Sequence, residues 1–122
     1  MLDHVILRVK DLARSRRFYA EALAPLGYRV HMEFPGGVGF AVEDRLDFWL
    51  RHDPQAGTGV HVAFSSGDRP TVDAFHAAGL KAGGADNGGP GIRAHYHPNY
   101  YGAFVFDPDG NNIEAVCHRP PA

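Results

Sequence analysis

The sequence predicts an α+β domain in which two βαβββ modules, in a pseudo-twofold arrangement, form a curved, partly open barrel-like cleft. The first observation is an internal repeat, since the segment that starts at His4 recurs 57 positions later from His61. The second is that each copy has the pattern of a strand, a helix and three short strands. The 122 residues suit a single domain, with a first module over about residues 1–55 and a second over about residues 58–118.

Each copy of the repeat begins with a short strand and continues into a helix. Alternation of apolar and polar residues over 5–9 predicts a strand with one apolar face. Asp11 and Asp68 stand where the N-cap of the following helix is expected. Gly27 and Gly83 stand where each helix would end, because glycine readily takes the left-handed conformation found there.

Three further strands are predicted after each helix. They cover residues 28–34, 38–42 and 46–50 in the first module, and residues 92–95, 103–106 and 112–117 in the second. The tetrapeptide Asp107-Pro108-Asp109-Gly110 has the composition of a type I turn and would join the last two strands.

Composition and charge exclude several classes of function. The formal net charge is −2 and no basic cluster occurs, so neither a nucleic acid nor a membrane surface is expected as a partner. No apolar stretch has the length of a membrane span, and the first residues lack the pattern of a signal peptide, which favours a cytoplasmic location. Cys117 is the only cysteine, so the chain cannot form an internal disulfide.

Three side chains at repeat-related positions form a candidate metal-binding set. His4 and His61 begin equivalent strands, and a pseudo-twofold axis would bring them to symmetric positions. Glu114 on the last strand corresponds to Trp49 in the first module, and alternation along the strand directs its carboxylate towards the cleft. Two imidazoles and a carboxylate suit Zn²⁺, Fe²⁺, Mn²⁺, Co²⁺ or Ni²⁺. Asp47 shares a face with Trp49 and is a candidate for a fourth ligand.

The doubled module, together with DHVILRV near the start, GVHVAFSS in the middle and FVFDPDGNNIEAV near the end, resembles the vicinal oxygen chelate superfamily. That superfamily includes glyoxalase I, extradiol dioxygenases, methylmalonyl-CoA epimerase, and the fosfomycin and bleomycin resistance proteins. The resemblance covers essentially the whole chain. It implies metal ligands on the first and last strands of each module, at the positions of His4, Trp49, His61 and Glu114. An indole cannot act as a ligand in this way, so Trp49 departs from the four-ligand pattern of glyoxalase I.

The segment HYHPNYYG adds about eight residues that the first module lacks, just before a strand expected to line the cleft. Histidine and tyrosine are suited to moving a proton or to binding an oxyanion. The candidates for proton transfer are His97, Tyr100 and Tyr101, and those for substrate contact are Arg8, Trp49 and His95. The alternative is that the aromatic side chains of this loop only cover the mouth of the cleft.

The resemblance implies a small metal-dependent enzyme with lyase, isomerase or dioxygenase chemistry. Its substrate would be a small organic molecule that chelates the metal through neighbouring oxygens. The alternative is a metal-free protein of the bleomycin-resistance type that binds or sequesters an aromatic or cationic molecule. In either case we expect a homodimer, with the cleft formed within one chain or between modules of two chains.

Overall fold

The first module forms a four-stranded sheet with one helix. The computed structural model describes residues 1–121. In chain order the module contains β1 (Val5–Val9), α1 (Leu12–Ala22), a 3₁₀ turn (Ala24–Leu26), β2 (Arg29–Phe34), β3 (Gly37–Val42) and β4 (Arg45–His52). The strand order is β1-β4-β3-β2, with β1 parallel to β4 and the other neighbours antiparallel.

The second module repeats this topology, except that its edge strand is divided into two short strands. It contains β5 (His61–Ser65), α2 (Arg69–Lys81), β6 (Ala85–Asp86), β7 (Gly91–Ile92), β8 (Tyr101–Phe106) and β9 (Asn112–Cys117). The strand order is β5-β9-β8-β6, β7 also pairs with β8, and β5 runs parallel to β9. The two sheets confirm the predicted α+β class and the doubled module.

The edge of the second sheet differs from the prediction. The strand expected over residues 92–95 is confined to Gly91–Ile92, and the chain turns over residues 94–96. The strand Ala85–Asp86 was not predicted from the sequence. Gly88, at φ 139°, lies between the two short strands, and a residue in that conformation cannot continue a regular ladder. The edge therefore consists of two short pieces.

The helices begin at the predicted caps. Oδ1 of Asp11 and Oδ1 of Asp68 each accept the backbone N–H three residues further on, at 3.1 and 2.8 Å. Gly27 and Gly83 follow the helical segments with φ of 92° and 101°. Within residues 1–121, no helix combines the length and the apolar character needed to cross a membrane.

Aromatic packing and a buried hydrogen bond are among the contacts that join the modules. The ring of Phe64 in β5 packs edge-on against Phe48 of β4 at 5.2 Å and against Tyr28 at 5.5 Å. In addition, the hydroxyl of Tyr19 in α1 donates a 2.6 Å hydrogen bond to Oδ2 of Asp107 in the β8–β9 turn, and both side chains are buried. Asp107 is therefore more than a turn residue, because it also fixes the first helix to the second sheet.

Each sheet has one face packed on the core with the helices and one face that the helices leave uncovered. In β1, Leu7 and Val9 are buried, whereas the side chain of Ile6 between them is 44% exposed. We call the uncovered faces the open faces. Parallel pairing puts Ile6 beside Trp49 in the first sheet and Ala63 beside Glu114 in the second. Repeat-related residues thus occupy equivalent positions on the two open faces.

Candidate functional site

The open face of the second sheet carries a buried carboxylate with two polar partners. Glu114 in β9 is only 1% exposed. Its Oε1 lies 2.8 Å from Nε2 of His61, at the start of β5. Its Oε2 accepts a hydrogen bond from the hydroxyl of Tyr100, just before β8. A carboxylate is expensive to bury without partners, so these two contacts are what make Glu114 tolerable at this position.

The carboxylate acts in turn on Tyr100. Burial is the largest cause that raises the pKa of the Tyr100 hydroxyl, followed by the hydrogen bond to Glu114 and its negative charge. Arg93 opposes the rise with its positive charge. Tyr100 therefore keeps its proton at neutral pH and serves as a hydrogen-bond donor.

Gly102 gives Tyr100 the room to reach Glu114. A Cβ atom added at Gly102 would lie 3.2 Å from Cε1 of Tyr100 and 3.3 Å from Oε2 of Glu114. Real Cβ atoms rarely approach other groups so closely, and Gly102 is paired with Val116 across the β8–β9 ladder. The absence of a side chain lets the tyrosine ring lie over this part of the sheet.

Two histidines pack on the ring of Tyr100 and not on Glu114: His97 of the inserted loop and His118, which follows β9. Nε2 of His97 lies 2.8 Å from Nδ1 of His118, and the two rings stack at 5.0 Å. Tyr100 packs edge-on against both, at 5.5 and 5.3 Å. His95 is exposed and stacks on Tyr96. His97 thus contacts the carboxylate only through Tyr100, and His95 lies outside this group.

Tyr101, expected as a proton-transfer residue, lies on the opposite side of the sheet. Its hydroxyl donates a 2.5 Å hydrogen bond to Oδ1 of Asp73 in α2, and Cζ of Arg69 lies 5.1 Å from its ring centre. Successive residues of a strand point to opposite faces, so Tyr100 and Tyr101 cannot both line the cleft. The structure removes Tyr101 from the candidate site.

The first-module candidates lie on the other sheet. Nδ1 of His4 is 2.8 Å from Oδ1 of Asp3, and among residues 1–121 no group of three metal-ligating side chains forms. His4 therefore does not join His61 and Glu114 at a common centre within one chain. Asp47 is engaged elsewhere, because it accepts a 2.8 Å hydrogen bond from the hydroxyl of Tyr28.

A small cleft of about 260 Å³ marks the open face of the first sheet. Its walls include His4, Ile6, Phe34 and Trp49. Trp49 lies across Gly39, where an added Cβ would come within 2.9 Å of the indole ring. Arg8, the other residue expected to contact substrate, does not line this cleft, and its guanidinium is 3.7 Å from the carboxylate of Asp53. This cleft thus offers an aromatic wall and one imidazole.

Arg93 is a residue of the second open face that the sequence analysis did not identify. Its guanidinium carbon lies 5.2 Å from the ring centre of Phe104, and Phe104 is the cross-strand partner of Glu114. The available signal in the sequence was an arginine that directly follows a glycine-rich segment and precedes the inserted loop.

Comparison with known proteins identifies a family over nearly the full length of the chain. A model of the Glyoxalase/Bleomycin resistance protein/Dioxygenase superfamily matches residues 1–115. A glyoxalase/bleomycin resistance protein from Albidiferax ferrireducens T118 has a similar crystal structure, with a TM-score of 0.85, 32% identity, and coverage of 98% of this chain and 99% of that one.

Two more distant structures share the fold. A glyoxylase/bleomycin resistance protein/dioxygenase domain from Frankia sp. EAN1pec has a TM-score of 0.74 at 23% identity and covers 98% of each chain. A glyoxalase/dioxygenase from Nostoc punctiforme has a TM-score of 0.73 at 22% identity, over 98% of this chain and 92% of that one. The chain matches no curated protein closely enough to count as a relative.

Proposed function

The chain belongs to the glyoxalase/bleomycin resistance protein/dioxygenase superfamily, and from this premise we propose that it is a small metal-dependent enzyme. Its substrate would be a small organic molecule with neighbouring oxygens, in a lyase, isomerase or dioxygenase reaction. The observation that carries the proposal is Glu114, a buried carboxylate on an open sheet face with His61 at 2.8 Å. A buried carboxylate next to a half-exposed imidazole is better suited to binding a metal than to packing in an apolar core.

His61 and Glu114 supply two of the donors that a first-row divalent metal requires. Their chemistry fits Zn²⁺, Fe²⁺, Mn²⁺, Co²⁺ or Ni²⁺, and Nε2 of His61 and Oε1 of Glu114 already lie 2.8 Å apart. A metal held by these two atoms would replace the proton that they now share. When bound, such a metal would act as a Lewis acid on the oxygens of the substrate. His4 is the third ligand in this proposal, contributed by a second copy of the chain because it stands apart from the pair within one chain.

A homodimer therefore belongs to the proposal. The open face of the first sheet of one copy would cover the open face of the second sheet of the other. Ile6, Met32 and Phe34 support this, because they are 44%, 49% and 46% exposed and large apolar side chains gathered on one surface favour a protein interface. β1 and β5 are also end strands of their sheets and leave backbone groups for a partner to cover.

Tyr100 is the residue we assign to the reacting proton or oxyanion. Its hydroxyl stays protonated at neutral pH and already points at Glu114, so it can donate a hydrogen bond to negative charge that develops on a substrate oxygen. His97 is assigned as a positioning residue, because it packs on the ring of Tyr100 and holds it together with His118.

The second candidate function is a metal-free protein that binds a small aromatic or cationic molecule. The cleft lined by Phe34 and Trp49 favours it, because these rings, with centroids 6.0 Å apart, can hold such a ligand without any metal.

Metal content distinguishes the two functions. Untagged protein, purified and then incubated with each of the five metals, would be dialysed and analysed by mass spectrometry. We expect about one equivalent per chain, lost in His61→Ala and Glu114→Gln and retained in His52→Ala, which removes an exposed imidazole from the end of β4. Wild-type protein that retains no metal, and gains no melting temperature from any of the five, would leave the binding protein as the better description.

A further inference from the structure

Arg93 has a fixed position on the open face of the second sheet. Its Nη1 donates to the carbonyl oxygen of Gly91 at 2.9 Å, and its Nη2 donates to that of Gly89 at 2.8 Å. A Cβ atom at Gly88 would lie 3.0 Å from Nη2 and 3.1 Å from a ring carbon of Phe104. The glycine-rich segment thus lies directly against the guanidinium and the aromatic ring, which leaves the side chain little freedom.

The positive charge of Arg93 is not matched by a carboxylate in the described part of the chain. Arg8, Arg16 and Arg45 each have an acidic side chain within 4.0 Å, whereas the remaining arginines of residues 1–121, Arg93 included, have none. For Arg93 no such pair occurs among residues 1–121, although its side chain is half-buried. Two of its five N–H groups are used by the loop carbonyls, so three remain available to another acceptor. A partly buried cation that is held in place and has free N–H groups is well suited to bind an anion from solution.

The surroundings of Arg93 connect it to the proposed site. Phe104 is near both Arg93 and His61. Its ring centre lies 5.2 Å from the guanidinium carbon of Arg93 and 6.2 Å from the ring centre of His61. Phe104 is also the cross-strand partner of Glu114, whose Oε2 accepts the hydrogen bond of the Tyr100 hydroxyl. Arginine, glutamate, histidine and tyrosine therefore share one face.

Taking the proposed function as the premise, we infer that Arg93 binds an oxyanion group of the substrate, either a carboxylate or a phosphate, while the rest of the molecule extends over Phe104 towards His61 and Glu114. The planar fork of a guanidinium can donate hydrogen bonds to two oxygens of either group. The neighbouring aromatic ring would contact the carbon skeleton. The substrate class is then a small organic acid or phosphate ester, and uncharged molecules of the same shape would be discriminated against.

The test uses three probes that differ in charge. Salicylate and phenyl phosphate carry the two oxyanions, and salicylamide is an uncharged analogue of salicylate with its oxygens still adjacent. Titration calorimetry would give their dissociation constants for wild-type protein, Arg93→Met, Arg93→Gln and the control Arg17→Met, which removes an equal charge from the exposed side of α1. We expect wild-type protein and Arg17→Met to bind at least one anion about tenfold more tightly than salicylamide.

Both changes at Arg93 should abolish this preference. Arg93→Gln is included because a glutamine can still donate a hydrogen bond to the loop carbonyls while the charge is gone, so the test does not depend on Arg93→Met folding. Which anion binds more tightly identifies the source of the oxyanion. Equal affinities for the three probes in wild-type protein, or an anion preference that survives in Arg93→Gln, would overturn the inference.

Running the titrations with and without Mn²⁺ separates this inference from the proposed function. If the protein binds no metal but prefers anions in an Arg93-dependent manner, the metal-dependent function fails and the oxyanion site stands. If metal binds at His61 and Glu114 without any anion preference, only the assignment of Arg93 fails.

Discussion

The hydroxyl of Tyr19 in the first helix donates a 2.6 Å hydrogen bond to Oδ2 of Asp107 in the last turn, 88 positions further along the chain. Asp107 also accepts the backbone N–H groups of Asp109 and Asn111 and the side-chain amide of Asn111. A tight turn in one module and a helix in the other are thus held by the same buried carboxylate.

Tyr19→Phe should lower the free energy of unfolding by about 1–3 kcal/mol, because it leaves a buried carboxylate oxygen with one partner fewer. Urea denaturation followed by circular dichroism measures the change. Tyr96→Phe, at an exposed tyrosine of the inserted loop, is the control and should leave stability within about 0.5 kcal/mol. Equal stability of the two variants would show that the bond between the modules contributes little.

Stability should also fall in alkaline solution, and less steeply in Tyr19→Phe. Burial, followed by the charge of Asp107, raises the pKa of the Tyr19 hydroxyl well above the usual value of 10.0. The unfolded chain releases this proton near pH 10, whereas the folded chain holds it, so the unfolded state is favoured progressively as the pH rises above 10. Urea midpoints at pH 8, 10 and 11 give the slopes. Identical slopes for wild-type protein and Tyr19→Phe would contradict this assignment.

Tyr100→Phe and Tyr101→Phe form a matched pair of adjacent substitutions on opposite faces of one strand. Loss of the Tyr100 hydroxyl should reduce turnover of a substrate by about a hundredfold while metal content is retained. Tyr101→Phe should leave turnover unchanged, because it removes only the contact with Asp73 of α2. Steady-state kinetics, with metal content determined on the same samples, decides between them. If Tyr100→Phe is as active as wild-type protein, the inserted loop only covers the cleft.

Gly102→Ala should disturb the same site through the backbone. The added methyl group would lie 3.3 Å from Oε2 of Glu114 and 3.2 Å from Tyr100, so the tyrosine ring and the carboxylate have to shift apart by a few tenths of an ångström. We expect weaker metal binding and a loss of about 1–3 kcal/mol in stability. Gly57→Ala is the control, because a Cβ atom there meets nothing within 4 Å. Metal titration and urea denaturation of both variants measure the two effects.

Mixing two inactive variants tests the shared site directly. His4→Ala and His61→Ala should each lose metal as homodimers. In a mixed dimer, one of the two sites would again contain both histidines if they come from different chains. Random exchange makes about half of the dimers mixed, so metal content should rise to about one equivalent for every four chains. If the histidines act within one chain, every site in the mixture stays defective and metal content does not recover.

The oligomeric state can be tested by a simpler measurement. Ile6→Glu places a charge on the open face of the first sheet and should convert the dimer into a 13.3 kDa monomer in sedimentation experiments. Leu80→Glu changes an apolar residue of similar exposure on α2 and should leave the dimer intact. A monomeric wild-type protein at micromolar concentration would rule out the shared cleft.

The internal repeat made much of the fold predictable. It aligned Ile6 with Ala63 and Trp49 with Glu114, and the strand registers pair those same residues within each sheet. This succeeded because a parallel pair of strands flanking a helix fixes which residues face the core. The repeat could not predict the two-piece edge of the second sheet, where glycines replace a regular alternation.

The candidate site was predicted in part. Glu114 and His61 are adjacent, and Tyr100 comes from the loop that the first module lacks. Tyr101 was a candidate because it belongs to the inserted loop. In the structure it begins β8, and its hydroxyl is directed to Asp73 of α2. Arg93 was missed because its position on this face depends on the contact with the Phe104 ring and on the carbonyl groups of a glycine-rich loop. Contacts of that kind leave no periodic pattern in the sequence.

Trp49 is an intrinsic fluorescence probe of the protein. It is the only tryptophan in the chain, and it lies on the open face of the first sheet, partly exposed, with the ring of Phe34 centred 6.0 Å away. Indole fluorescence shifts to shorter wavelength when water is removed from around the ring. The emission spectrum will therefore register whatever covers that face, whether a second copy of the chain or a small ligand, without any label attached.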